Sequence, residues 1–195
     1  MGDKRDPART RAALLDAPLV EFSAHGRAGA RTSAIAARAG VNKQLISHHF
    51  GGKDGLYAAL VARWEAEEDA YSTPDTPLAD VAAAYVEQGA RHRDLHRLLL
   101  RASLEDAEEG GGLDAADLAD MRARQAAGEI TDRLDPAFVL LALQAVAAAG
   151  LIFPGDVRRV CGADPAGPEF TAWHVEQLRA LVDLLSARPR SAAGA

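Results

Sequence analysis

Residues 31 to 53, RTSAIAARAGVNKQLISHHFGGK, constrain the rest of the chain more than any other stretch. The spacing predicts two short helices joined by a tight turn. Thr32 and Ser33 offer hydroxyls at a helix start, Ile35, Ala36 and Ala39 give one apolar face, and Gly40 supplies the permissive backbone that ends the first helix. Asn42 is placed to cap the second helix. There Val41, Leu45, Ile46 and Phe50 lie mostly on one side, and Lys43, Gln44, Ser47 and His48 on the other. One face can pack while the other stays free for a partner. Such a helix-turn-helix can lay its second helix in the major groove of DNA while the first crosses the backbone.

Charge supports a nucleic-acid partner only because it is uneven. The chain carries −6 overall, yet residues 1 to 55 hold nine Lys or Arg against five acids, net +4, and the remainder holds thirteen against 23, net −10. A basic module on an acidic body focuses attraction for phosphate on one end. Two of the three lysines, Lys43 and Lys53, bracket the second helix of the motif. The lone Cys161 excludes an internal disulfide framework, and no charged region followed by an apolar run opens the chain, so a reducing cytoplasm is expected.

The remaining pattern is helical throughout. Residues 1 to 5 read as a basic arm, and Asp6-Pro7 opens a helix striped by Leu14, Leu15, Leu19 and Phe22 that runs to about His25. Pro18 is expected to kink it. After Gly51-Gly52 a connector helix starts near Lys53, with Leu56, Leu60 and Trp64 four apart. A join containing Pro74 and Pro77 leads to a helix carrying Leu78, Val81, Ala82, Tyr85, Val86 and Gly89, and Asp94 is expected to cap a shorter one with Leu95, Leu98, Leu99 and Ala102 inside. Glu108 to Gly112 reads as a loop, and Asp114 to Ala127 as a polar helix with Leu118 and Met121 inward.

Asp135-Pro136 opens the most apolar segment, Ala137 to Phe153, interrupted only by Gln144. As a membrane span it is at the short limit, Ala-rich and without flanking positive anchors, so the expectation is a soluble helix covered on several sides, as by a dimer partner. A loop from Pro154 to Gly167, with a short turn at Val157 to Val160, precedes a last helix on which Phe170, Trp173, His174, Gln177, Leu178, Leu181, Val182 and Leu185 share a face. The tail from Pro189 is expected to be disordered. No strand-period segment appears, and about nine helices are expected in an all-α fold.

The chain resembles the tetracycline-repressor (TetR) family of bacterial transcription regulators. The matching residues are Phe22, Gly26, Ile35-Ala36, Ala39-Gly40-Val41-Asn42-Lys43, Ile46, His48-His49-Phe50, Lys53 and Leu56, within residues 7 to 62. Ser47 departs from a usual backbone-contacting tyrosine, and Ala30 from a frequent threonine. The resemblance implies a three-helix DNA-binding domain over 1–52, then an effector-binding and dimerisation domain over 53–195, a helical bundle. It implies a homodimer on double-stranded operator DNA, with the helices near 136–153 and 168–187 paired with their copies; Leu143, Val146, Phe170, Trp173, Gln177 and Leu181 are the candidate interface residues.

For DNA, Lys43 suits guanine O6 or N7 and Gln44 suits adenine N6 and N7. Leu45 and Ser47 are candidates for a thymine methyl or a phosphate, His48 for phosphate or sugar, and His49 for packing. Arg31, Thr32 and Ser33 resemble backbone-contacting positions of the family, Asn42 caps the reading helix, and Lys53 is the expected phosphate ligand. Trp64, Tyr85, His92, Met121, Gln125, Phe138 and Gln144 are expected on the inward faces of the helices that, as the resemblance implies, surround a ligand, which suggests a small apolar effector with a few polar handles. His92 and His96 have metal-ligand spacing but no third ligand in register and basic neighbours, and Cys161 with Asp164 and His174 lacks an oxyanion loop. No nucleotide-binding or hydrolase signature occurs, so neither a cofactor nor enzyme activity is expected. The competing reading is an all-α small-molecule-binding or enzymatic domain whose helix-turn-helix is only structural.

Overall fold

A computed structural model describes residues 7–68, 71–105 and 113–186; of residues 7–17, 67, 68, 102 and 105 it describes the backbone alone. The arm at 1–5, the 108–112 loop, the tail from Pro189 and the side chains of Leu14, Leu15 and Ala102 lie outside this description. The described residues form an all-α chain. Its helices are α1 (Pro7–Gly29), α2 (Thr32–Ala39), α3 (Lys43–Phe50), α4 (Lys53–Glu68), α5 (Leu78–Arg91), α6 (Arg93–Glu105), α7 (Ala115–Ala126), α8 (Pro136–Ala147), α9 (Ala149–Ile152), α10 (Pro154–Asp156) and α11 (Pro168–Leu185), with a π turn at Val157–Cys161.

The chain divides into two compact units, one of residues 1–69 and 94–112, the other of 70–93 and 113–195. The first is built around Phe22, Ile35, Ile46, Leu56 and Tyr57, which pack α1 to α4 together, with Phe22 and Tyr57 edge to face at 5.5 Å. One core member comes from far along the chain. Leu98 of α6 is only 1% exposed and belongs to this same core, while Arg101 of α6 donates to the carbonyl of Ala24. The first unit therefore holds α4 and most of α6 besides the segment 1–52.

Helix α1 departs from helical dihedrals at Gly26 (φ 68°, ψ 172°) and not at Pro18, which is buried within it. The kink expected at the proline thus lies eight residues later, where a residue without Cβ takes a left-handed φ at little cost. Asp94 is in the first turn of α6 and does not cap it, since the helix already begins at Arg93.

In the second unit, Leu78, Val86, Met121, Ile130, Val139, Leu143 and Leu178 form the core, which packs α5, α7, α8 and α11. Capping sets the boundaries. Asp114 and Asp117 make a reciprocal capping box on α7, and Asp135 accepts from the Ala137 amide ahead of Pro136 on α8. The apolar run beyond Pro136 is not one helix. It flattens at Ala148 (φ −83°, ψ −1°) and resumes as α9; α10 and the π turn then follow within the stretch from Pro154 that reads as a loop with one short turn. Among the described residues no helix is long and apolar enough to cross a membrane.

Candidate nucleic-acid interface

The helix-turn-helix is held by backbone bonds before any side chain reaches outward. At the turn, Gly40 takes the left-handed conformation and the Val41 amide donates to the Ala36 carbonyl at 3.0 Å. Asn42 then caps α3, its Oδ1 accepting from the Gln44 amide at 2.9 Å. The start of α2 is made differently from expectation. Thr32 and Ser33 are its first two residues and neither hydroxyl caps it; Arg31 is the residue before the helix, and its amide donates to Glu21 Oε1 at 3.2 Å.

Burial sorts α3 into two faces. Ile46 and Phe50 are buried, Leu45 and His49 are half-buried, and Lys43, Gln44, Ser47 and His48 are exposed together on one side. Arg31 and Ser33 are also exposed and Thr32 is half-buried. The polar edge of α3 is a surface, not a part of the core.

What fixes its direction is the junction with α4. Gly51 closes α3 in the left-handed conformation, and Gly55 lies so close behind that an added Cβ would sit 1.8 Å from the carbonyl oxygen of Phe50. Lys53 Nζ donates to the Ala28 carbonyl at 2.8 Å, and Arg27 Nε donates to Asp54 Oδ1 at 3.1 Å while its guanidinium lies 5.5 Å from the Tyr57 ring centre. Lys53 thus binds the end of α1, and the other protons of its ammonium are the ones available to a phosphate.

The other candidates are dispersed. Trp64, in the first unit, is buried edge-on against His96 with ring centres 4.3 Å apart. In the second unit Tyr85 meets Tyr71 edge-on, His92 closes α5, and Met121 is core. Gln125 Nε2 donates to the carbonyls of Thr131 and Leu134, both at 2.9 Å, so its amide ties down a loop. Two of the candidates do not face inward: Phe138 is 60% exposed and Gln144 is exposed, because α8 turns Val139 and Leu143 to the core instead. Of the candidate interface residues, Leu143 and Phe170 are buried in their own unit and Leu181 is half-buried, whereas Val146, Trp173 and Gln177 are exposed. Leu141 and Leu184, which the sequence did not single out, are exposed as well.

His92 is the residue between α5 and α6 whereas His96 lies within α6, so the four-residue spacing does not place them on one helical face; among the described residues no group of three His, Cys, Asp or Glu could hold a metal. Cys161 is exposed at the end of the π turn, whereas His174 is buried with Nε2 2.9 Å from the Val146 carbonyl.

Residues 14–60 match the family model described as bacterial regulatory proteins, tetR family. The HTH-type transcriptional repressor SCO4008 of Streptomyces coelicolor is 31% identical over 176 residues, covering 85% of this chain and 90% of that protein. The HTH-type transcriptional regulator BetI of Paraburkholderia phytofirmans is 36% identical over 83 residues, 38% of this chain and 43% of its own length. Among solved structures, the transcriptional regulator SCO4942 from Streptomyces coelicolor superposes with a TM-score of 0.74 at 26% identity, over 92% of this chain and 99% of the other. Salmonella enterica GusR shares the fold, with a TM-score of 0.65 at 18% identity over 96% and 100% of the two chains. With the polar edge of α3 exposed on a packed three-helix support and a relative matched over most of its length, the chain belongs to the TetR family of bacterial regulatory proteins, DNA-binding transcription regulators and not enzymes.

Proposed function

We propose that the chain is a cytoplasmic, homodimeric repressor whose two α3 helices enter successive major grooves of a near-palindromic operator and which a small apolar effector releases. Residues 1–52 carry the reading, and 53–195 the effector response and self-association. The observation that carries this is the exposed set Lys43, Gln44, Ser47 and His48 on a helix whose opposite side, Ile46 and Phe50, is fixed in a core. Lys43 and Gln44 stand in the first turn, where side chains reach base edges, while Arg31, Thr32, Ser33 and Lys53 stand for backbone contacts. SCO4008, the relative matched over most of its length, is named a repressor.

Release requires an effector that binds one spacing of the reading helices better than the other, because equal affinity for both shifts nothing. Self-association is assigned to the exposed apolar residues of α8 and α11, Phe138, Leu141, Val146 and Trp173. The test is a gel shift with the DNA upstream of the chain's own gene at fixed salt. Wild type is expected to give a discrete complex, and Lys43→Ala with Gln44→Ala to lose discrimination by about 1–3 kcal/mol per base contact. A complex unchanged by the double substitution sinks the reading.

A further inference from the structure

Arg124, near the end of α7, is 4% exposed, and all three of its guanidinium nitrogens are engaged. Nε donates to Asp120 Oδ2 at 2.6 Å, Nη1 to Glu129 Oε2 at 2.9 Å and to the Thr76 carbonyl at 2.8 Å, and Nη2 to the Thr73 carbonyl at 3.2 Å. Glu129 extends the set, since its Oε1 accepts the amide of Leu78, the first residue of α5, at 2.5 Å. Residues 71–77, which lead from α4 into α5, are therefore fastened to α7 through two carbonyls and a helix cap that depend on one buried cation and its partner. Gln125, the next residue, holds a different segment by Thr131 and Leu134.

A buried ion pair adds little net stability, because desolvation offsets the attraction; it is better suited to fixing one arrangement against others. Bonds that share one side chain are also made and lost together. We propose that Arg124 is a latch that makes the path of residues 71–77, and with it operator affinity, conditional on the position of α7. This rests on the operator reading above. With the latch closed residues 71–77 hold one path into α5. Without it the join samples many paths, and the operator must select among them, which lowers apparent affinity by the fraction of competent chains.

The test compares wild type with Arg124→Met, which keeps the stem and deletes every donor, and with Glu129→Gln, which keeps an acceptor for Leu78 and removes one charge from Arg124. Operator affinity on the upstream DNA, hydrogen exchange of peptides spanning 71–81 and 131–135, and circular dichroism are measured on the full chain. For Arg124→Met, helicity stays native and exchange rises in 71–81 while staying within about twofold in 131–135. Affinity falls about tenfold, inside the usual range of coupling between sites, and the salt slope is unchanged because no phosphate contact is lost. Glu129→Gln moves the same way by less, and it decides the matter if Arg124→Met does not fold. Exchange rising equally in both peptides, or affinity unchanged in a folded variant, overturns the latch alone. A wild-type chain that fails to shift the DNA overturns the operator reading first and the latch with it.

Discussion

Helices α3 and α8 each turn toward solvent a face that their own unit leaves uncovered, and the two faces are opposite in character. That of α3 is polar, with Lys43, Gln44, Ser47 and His48. That of α8 carries Phe138 and Leu141, 60% and 61% exposed, beside Val146. Water solvates the first at no penalty, so it can stand bare and take up a charged partner reversibly. Water disfavours the second by roughly 25 cal/mol for each Å² of apolar surface, so it calls for a standing apolar partner. On the function proposed above, the contrast separates an intermittent ligand, a duplex, from a permanent one, a second copy of the chain.

Leu141→Asp strikes this contrast hardest. Full burial of one such side chain is worth about 1.5–3 kcal/mol, and a two-fold interface counts it twice, so the dimer constant weakens about 100-fold or more. Sedimentation equilibrium should show a monomer with native helicity. Lys43→Ala with Gln44→Ala should leave the association state untouched. If the charged substitution leaves the dimer intact, the two faces do not divide the labour in this way.

Gly55→Ala comes next, because it attacks what aims the polar face. Its Cβ would meet the Phe50 carbonyl oxygen at 1.8 Å, and backbone cannot yield as a flexible side chain can. Overpacking of this sort costs about 1–3 kcal/mol. Thermal unfolding should fall for the variant, and the folded fraction should bind operator more weakly because α4 has been pushed off the end of α3. Unchanged unfolding and unchanged binding would show that the junction is looser than this geometry.

The helix-turn-helix was legible because local chemistry decides it. Asn42 is the cap it reads as, and Asp114 and Asp135, which read as the starts of their helices, cap them. Three features were not legible, each for a physical reason. The outward face of α8 cannot be read from periodicity, since a segment apolar nearly all round offers no polar side to mark solvent; that is why Phe138 was expected inward and Leu141 passed over. Leu98 gave no sign of belonging to the first core, because an apolar stripe says that a helix packs, not against what. Arg124 sat in a helix that read as polar apart from Leu118 and Met121, although Asp120 four residues before it and Glu129 five after were the available signal. Pro18 shows the converse error, a residue that commonly kinks helices lying in one whose dihedrals break at a glycine instead.

Lys53→Gln sharpens the polar side of the contrast more gently. The substitution removes one cation and weakens the bond to the Ala28 carbonyl. The slope of log affinity against log salt should drop by about 0.9, with binding lowered alike for operator and unrelated DNA. A change confined to the operator would assign the residue to base reading and not to phosphate.

The smallest effect tests the apolar side through His174, which lies beneath that face with its imidazole against Phe170 and the Val146 carbonyl. Burial pushes its pKa below the ordinary value, and the hydrogen bond to Val146 only partly opposes this. A group depressed in the folded state takes its proton later than the same group in the unfolded chain. Its share of stability is therefore intact above the unfolded value near 6.5 and is lost as pH falls through that value toward the folded one. Wild type should unfold at a lower temperature at pH 5.5 than at about pH 7.5, a window bracketing the ordinary histidine value. His174→Phe should lose part of that difference, since Val146 already accepts the Ala148 amide and is not stranded by the change. An equal pH dependence in both proteins would mean that His174 is not what limits how far this face tolerates acid.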